Sequence, residues 1–311
     1  MKRLFSLIMT ICILVFSSGY AHSEKTDLWG LYDSVFKKCK YVDLTHAFNP
    51  TIPVWPGFGN AKFKPTLAGA DMPGYIGKGQ EFLYGKHGFI ATAYEIPTDQ
   101  YGTQLDPPAH WDEYGATISD LPATYAIRPM VVIDIHEKVA SDPGYHCSVD
   151  DIKAWEAKYD KIPEGSVVMV RSDWHKKWTD VKRYNKKPFP GVSLAALKFL
   201  HIQRKILFHG HEPLDTDTTP NLEGEYWLLH NHYCQAEGVT NLDKVPEAGA
   251  LIAIGFAKPE GGSGGYARYV AICPSDWTYG KSVLEAPGAP LPKQPYPLRR
   301  DQYGVLKPTK Q

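Results

Sequence analysis

Cysteine is scarce in this chain: five residues in 311, and no two of them form a C-x-x-C pair. That spacing argues against a structural zinc site, which needs closely paired thiolates. An excess of either charge is also missing, with 34 Lys and Arg against 34 Asp and Glu. The basic residues are scattered as well, so a nucleic-acid partner or an anionic membrane surface has no electrostatic support. Past residue 21 there is no apolar run of membrane-spanning length, no internal repeat and no low-complexity linker. These absences leave one domain with a small, weakly charged molecule as its partner.

The N-terminus reads as a targeting segment. Lys2 and Arg3 precede the thirteen-residue run LFSLIMTICILVF, and Gly19 and Ala21 supply the small residues of a cleavage site. As a helix that run spans about 20 Å, short of the roughly 30 Å of hydrocarbon in a bilayer. Residues 1–21 are therefore expected to be a signal peptide, and 22–311 a single periplasmic or secreted domain. Cys39, Cys147, Cys234 and Cys273 remain after processing. In an oxidising compartment they can pair in three ways or stay buried thiols, and spacing does not choose.

Short branched runs mark the strands: MVVIDI (130–135), SVVMVRS (166–172), KILFHG (205–210) and ALIAIGFA (250–257). Helical patterns lie between them. Ser148 and Asp151 form a capping box ahead of Ile152, Trp155 and Tyr159 on one face, and Ser193 precedes LAALKFLHIQ. Alternation of this kind predicts an α/β or α+β fold. Upstream, residues 27–38 read as an amphipathic helix followed by strand-like segments rich in Pro and Gly; EGGSGGYAR (260–268) reads as a hairpin, and the proline-rich stretch from about 285 as an extended tail.

One stretch concentrates polar chemistry. In TDQYGTQLDPPAHW (98–111), Pro107 and Pro108 forbid a regular helix, and Gly102 allows a sharp turn on which neighbouring side chains converge. The segment from Gln100 to His110 resembles the H-x-G-T-H-x-D-x-P-x-H signature of the cyclase family, the metal-dependent hydrolases that include kynurenine formamidase and isatin hydrolase. Asp43-Leu-Thr-His with Ile52-Pro-Val-Trp-Pro-Gly, Val168-Met-Val-Arg-Ser-Asp-Trp and Ala236-Glu237-Gly-Val-Thr-Asn resemble further blocks of the same family, in the same order.

The resemblance implies a swivelling β/β/α fold, a homodimer or homotetramer, and hydrolysis of a small cyclic amide, aryl formamide or lactone. It also implies a metal site at Gln100, Gln104, Asp106, Glu225 and Glu237, with His110 as the proton-transfer residue. Three of those positions depart from the family, which has histidine where Gln100, Gln104 and Glu225 stand. Neutral carbonyls and carboxylates favour Mn, Mg or Ca over Zn, for one or two ions. A second reading has no ion: crowded carboxylates then raise one another's pKa and one holds a proton. Trp55, Phe58 and Trp111 are candidate pocket walls, and His211 a further candidate at a strand end. A metal cluster built from His209, His211, His230 and His232 is a competing arrangement, and a non-catalytic small-molecule receptor a competing function.

Overall fold

The computed structural model of the chain describes residues 27–286 and 288–310. The expected signal peptide lies outside them. Eight strands build the central sheet: β1 (Lys40–Asp43), β2 (Gln104–Asp106), β3 (Ile127–Asp134), β4 (Val167–Arg171), β5 (Phe208–His211), β6 (Cys234–Glu237), β7 (Ala250–Phe256) and β8 (Gly265–Cys273). Their order is β1-β8-β7-β3-β4-β5-β6-β2, and β2 also pairs with β8, so the sheet closes on itself. From β3 through β6 the neighbours are parallel. The remaining pairings are antiparallel.

Parallel strands connected by helices are covered on both faces and read as unbroken apolar runs, which is why β3 and β4 show little alternation. Structurally they do alternate. Met130, Val132, Val167, Met169 and Phe208 point into the ring and share a core with Leu105, Ala236, Ile252 and Tyr269. Val131, Ile133, Val168 and Val170 point outward into a second core. That core is roofed by α1 (Val149–Tyr159), α2 (Leu194–Lys198) and α3 (Glu223–His230), which contribute Ile152, Trp155, Leu197, Leu228 and Leu229. The Ser148 capping box is formed: Ser148 N donates to Asp151 Oδ2 at 2.7 Å and Asp151 N to Ser148 Oγ at 3.3 Å.

Two local expectations shift and a third holds. The strand placed at 205–210 starts at Phe208, because Lys205 turns the chain at φ 52° first. The segment 27–38 is helical only as an α turn, Leu28–Leu31, continuing as a π turn, Tyr32–Phe36, and no residue of either is buried. EGGSGGYAR forms a hairpin as expected: β7 and β8 pair antiparallel, and its last four residues, Gly265–Arg268, already belong to β8. The tail lies on the body through a hairpin, Leu298–Arg300 with Leu306–Pro308, from which Arg300 Nη2 donates to the Ala91 carbonyl at 2.7 Å. Among the described residues Cys39, Cys147, Cys234 and Cys273 are free thiols. No helix of the described residues is long and apolar enough to cross a membrane.

Two loops that flank β2 and β6 meet back to back. Gly102 and Gly238 both have positive φ, 85° and 61°, and a Cβ on Gly238 would lie 2.8 Å from the Gly102 carbonyl oxygen. Gly238→Ala is expected to lower stability by about 1 kcal/mol or more, whereas Gly249→Ala, at φ 89° in open space, carries the conformational penalty alone. Urea denaturation of both variants measures the difference due to collision, and equal losses would show that the loops are not in contact.

Candidate active site

Strand periodicity places the polar side chains. Gln104 and Asp106 are two apart on β2 and share a face, as do Gln235 and Glu237 on β6. The antiparallel register sets Gln235 opposite Asp106 and Glu237 opposite Gln104. The result is a square with carboxylates on one diagonal and amides on the other. Leu105 and Ala236, between them in sequence, point the other way into the ring.

The contacts within the square are short. Gln104 Nε2 donates to Glu237 Oε2 at 2.9 Å and lies 3.4 Å from both oxygens of Asp106. One end of the Gln235 amide meets Glu237 Oε1 at 2.9 Å and Asp106 Oδ2 at 3.3 Å, and its other end meets Thr216 Oγ1. From above, α3 lowers Glu225 toward the square. Trp111 Nε1 donates to Glu225 Oε1 at 3.0 Å, and His110 Nε2 stands 3.9 Å from the same oxygen. The 3-10 turn Pro108–His110 carries His110 to this point immediately after β2 ends.

A cavity of about 290 Å³ opens over the square, lined by Trp55, Phe58, Gln100, Gln104, His110, Trp111, Asp215, Glu225 and Glu237 among others. Trp55 and Phe58 lie 5.3 Å apart, centroid to centroid, and remain partly exposed at the mouth. Gln100 is held by weak contacts, Nε2 to the Ser263 carbonyl and Oε1 to Thr98 Oγ1, at 3.5 and 3.4 Å. Asp106 is fully buried beneath the floor. His211 lies behind the wall rather than on it: its Nε2 is 3.1 Å from Thr216 Oγ1 and 3.7 Å from Glu237 Oε1. His209 and His211 adjoin, with ring centroids 5.4 Å apart, but His230 and His232 do not join them. His230 stacks on Tyr226, His232 faces Asp112 at 3.7 Å, and His209 is sealed in the outer core.

Among the described residues, no Lys or Arg lies within 4.0 Å of Asp106, Glu225 or Glu237; only histidines approach them. Burial pushes all three carboxyl groups up, and their mutual repulsion adds to the shift of Glu225 and Glu237. Ionising all three unaided would cost several kcal/mol per ion, comparable in sum to the roughly 5–15 kcal/mol that holds a domain folded. The site must therefore hold protons or a cation.

The residues present fit a hard divalent cation. Gln104 Oε1 and Glu225 Oε2 are buried with no hydrogen-bond partner, and the available donors are oxygens, which suit Mn, Mg or Ca better than Zn. The three carboxylates alone do not close to a single-ion radius. Among the described residues, the one trio of His, Cys or acidic ligand atoms all within 4.8 Å is Asp173, His175 and Glu212. That trio is already partnered: Asp173 by Arg171 and Lys176, and Glu212 by Ser172, Trp174 and His175.

The cyclase family model ("Putative cyclase") matches residues 42–218, more than half of the chain. The chain belongs to the cyclase family. This cyclase is 31% identical over 201 residues to an isatin hydrolase of Roseibium aggregatum, an alignment covering 60% of this chain and 76% of that one. Among solved structures, isatin hydrolase A from Labrenzia aggregata bound to benzyl benzoate is similar at 25% identity and a TM-score of 0.66, covering 79% and 97% of the two chains. Isatin hydrolase A from Ralstonia solanacearum gives 26% and 0.65, covering 79% and 95%. The mixed sheet closed into a ring and roofed by helices is the fold of these proteins.

Two further polar side chains of the candidate site, Gln235 and Asp215, escape the family signature. Gln235 was open to detection as the same-face neighbour of Glu237, two positions away. Asp215 sits in a loop with no pattern of its own. Burial raises Asp215 to about 7, against the opposing pull of Lys187. A carboxyl with a raised native pKa binds its proton more tightly folded than unfolded, so its contribution to stability falls as pH rises from about 4 to 7. Asp215→Asn lacks this slope. Melting temperatures of both proteins from pH 4 to 8 should diverge across that window, with wild type losing ground; parallel curves would mean that Asp215 is not buried as described.

Proposed function

We propose that this cyclase is an exported hydrolase that cleaves the C–N bond of a small cyclic amide or aryl formamide, or the C–O bond of a lactone. One observation supports this above all: a buried floor of Asp106 and Glu237, which needs protons or a cation, lies beneath a cavity whose wall carries His110. The similarity to isatin hydrolases adds the substrate class, a flat aromatic lactam. Trp55, Phe58 and Trp111 suit such a ring, since aromatic pairs gain from offset or edge-on contact beyond simple burial.

Asp106 and Glu237, with Gln104 and with Glu225 from α3, would hold a divalent ion, which when bound supplies Lewis-acid polarisation of the substrate carbonyl and a more acidic water. The chain's own groups do the rest. The His110 imidazole takes a proton from the attacking water and returns it to the leaving nitrogen or oxygen. Oxygen bonds to the carbonyl carbon and the C–N or C–O bond breaks, giving a carboxylate and an amine or hydroxyl that stay in one ring-opened molecule when the substrate is cyclic and separate when it is a formamide. Trp111, by donating to Glu225 Oε1, fixes the acid beside His110. Glu225, in turn, limits how far the imidazole swings. Assembly as a homodimer or homotetramer and removal of residues 1–21 complete the proposal; N-terminal sequencing of protein recovered from the periplasm checks the latter.

The test is hydrolysis of isatin, an N-formyl aniline and an aryl lactone by protein stripped of metal and then supplied with Mn²⁺. Turnover that EDTA abolishes and Mn²⁺ restores is the expected result. His110→Ala should lose at least about a hundredfold in kcat with its circular dichroism unchanged, and near-normal turnover would refute its role. Tight binding of these compounds with none converted would instead make the cleft a receptor.

A further inference from the structure

We propose that a side chamber behind Trp55 is a second subsite, in which Lys187 receives the carboxylate of an arm carried by the substrate ring. The inference rests on the hydrolase reading above and deepens it. The substrate becomes a cyclic amide, aryl formamide or lactone with an anionic substituent.

A second cavity of about 170 Å³ adjoins the first, and Trp55, Leu214 and Asp215 line both. Trp55 is fixed as the partition between them, because its indole lies over Gly57, where any Cβ would overlap the ring. The main cavity, at about 290 Å³, stands at the lower end of the roughly 300–1,000 Å³ usual for small-molecule sites. A ring seated over the carboxylate floor leaves little room beside it, and a substituent directed past Trp55 enters the chamber.

The lining of the chamber limits what that substituent can be. Pro56, Phe189 and Leu214 are apolar walls. Tyr184 and Asn185 are already engaged: the Tyr184 hydroxyl donates to the Glu212 carbonyl, and Asn185 Nδ2 to the Val54 carbonyl at 2.9 Å. One charge of each sign remains. Asp215 is buried at the partition, whereas Lys187 is exposed at the rim, its Nζ 5.7 Å from the Phe189 ring centroid.

The rim decides the sign. Residues 175–187, HKKWTDVKRYNKK, supply part of the chamber wall and hold six of the chain's 34 Lys and Arg against one acid. Lys176 is paired with Asp173 at 2.7 Å, and Lys177 lies over the Trp174 ring. Lys182, Arg183, Lys186 and Lys187 are exposed, and among the described residues none has a carboxylate within 4.0 Å. Four unpaired cations on one short segment draw anions to it, although the chain as a whole is neutral. Of the four, Lys187 alone lines the chamber. An arm with apolar methylenes and a terminal carboxylate matches walls and cation together, and Lys187 is a specificity-determining residue that takes no part in bond breaking.

Isatins bearing a propionate arm on the benzene ring, compared with the matching propionamides, test the assignment, since acid and amide differ in charge but little in size. Where an N-formyl aniline or an aryl lactone is the compound turned over, the same pairs are built on it. For at least one arm position, wild-type kcat/KM for the acid should exceed that for the amide by about threefold to fivefold, the range of an exposed ion pair. Raising NaCl to about 0.5 M should remove the preference. Lys187→Met should abolish it with turnover of the unsubstituted compound unchanged, and Lys187→Arg should keep it. Lys186→Met, on a neighbouring cation outside the chamber, should leave most of it. Should the Lys187 variants fail to fold, the salt response of wild type decides. No preference at any position, or one that persists in salt or in Lys187→Met, or that Lys186→Met removes equally, would overturn this inference and leave the hydrolase reading in place. Wild type that converts none of the three parent compounds would overturn both.

Discussion

Three buried acidic side chains, Asp106, Glu237 and Glu225 of α3, with no Lys or Arg among the described residues within ion-pairing distance, set the terms for the rest of this molecule. Buried carboxylates are tolerated when paired, protonated or bound to a metal. Elsewhere the chain uses the first solution, as at Arg171 between Asp134 and Asp173 or Arg204 on Glu156. At the candidate site it surrounds Asp106 and Glu237 with neutral amides instead. An amide offers a donor at one end and an acceptor at the other, so it can serve a carboxylate or a cation without adding charge. Imidazole ligands would bind an ion through nitrogen. The substitution of Gln for His therefore changes what the site can hold while leaving the carboxylates in place.

The scaffold makes that arrangement possible through simple alternation. A strand that presents Leu105 and Ala236 to the ring interior necessarily presents Gln104, Asp106, Gln235 and Glu237 to the opposite side. That side is shielded by α3 and the Pro108–His110 turn, and its opening is the cavity. Polar groups at the same positions on an uncovered strand would face water, and the raised carboxyl pKa values would not follow.

Much of this was legible in the sequence. The apolar runs located β3, β4 and β7 because parallel and ring-forming strands need continuous burial, and Ser148 with Asp151 announced the start of α1. The signature between Gln100 and His110, with Glu225 and Glu237, assembled around one cavity together with Trp55, Phe58 and Trp111. What could not be read depends on the third dimension. Gln235 matters through its register opposite Asp106, which a linear motif does not encode. Asp215 matters through desolvation by residues distant in sequence. His211 has the composition of a ligand yet sits one layer back, because the loop Glu212–Thr216 turns its ring toward Pro213 and Thr216.

The three-residue strand β2 pairs with β6 on one side and with β8 on the other and so helps to close the hoop. The same segment supplies Gln104 and Asp106. Whatever fastens those two side chains to Glu237 and Gln235 also clasps the ends of the sheet together. Occupancy of the pocket and integrity of the barrel are consequently two faces of a single equilibrium, and a bound guest contributes its affinity to the whole architecture.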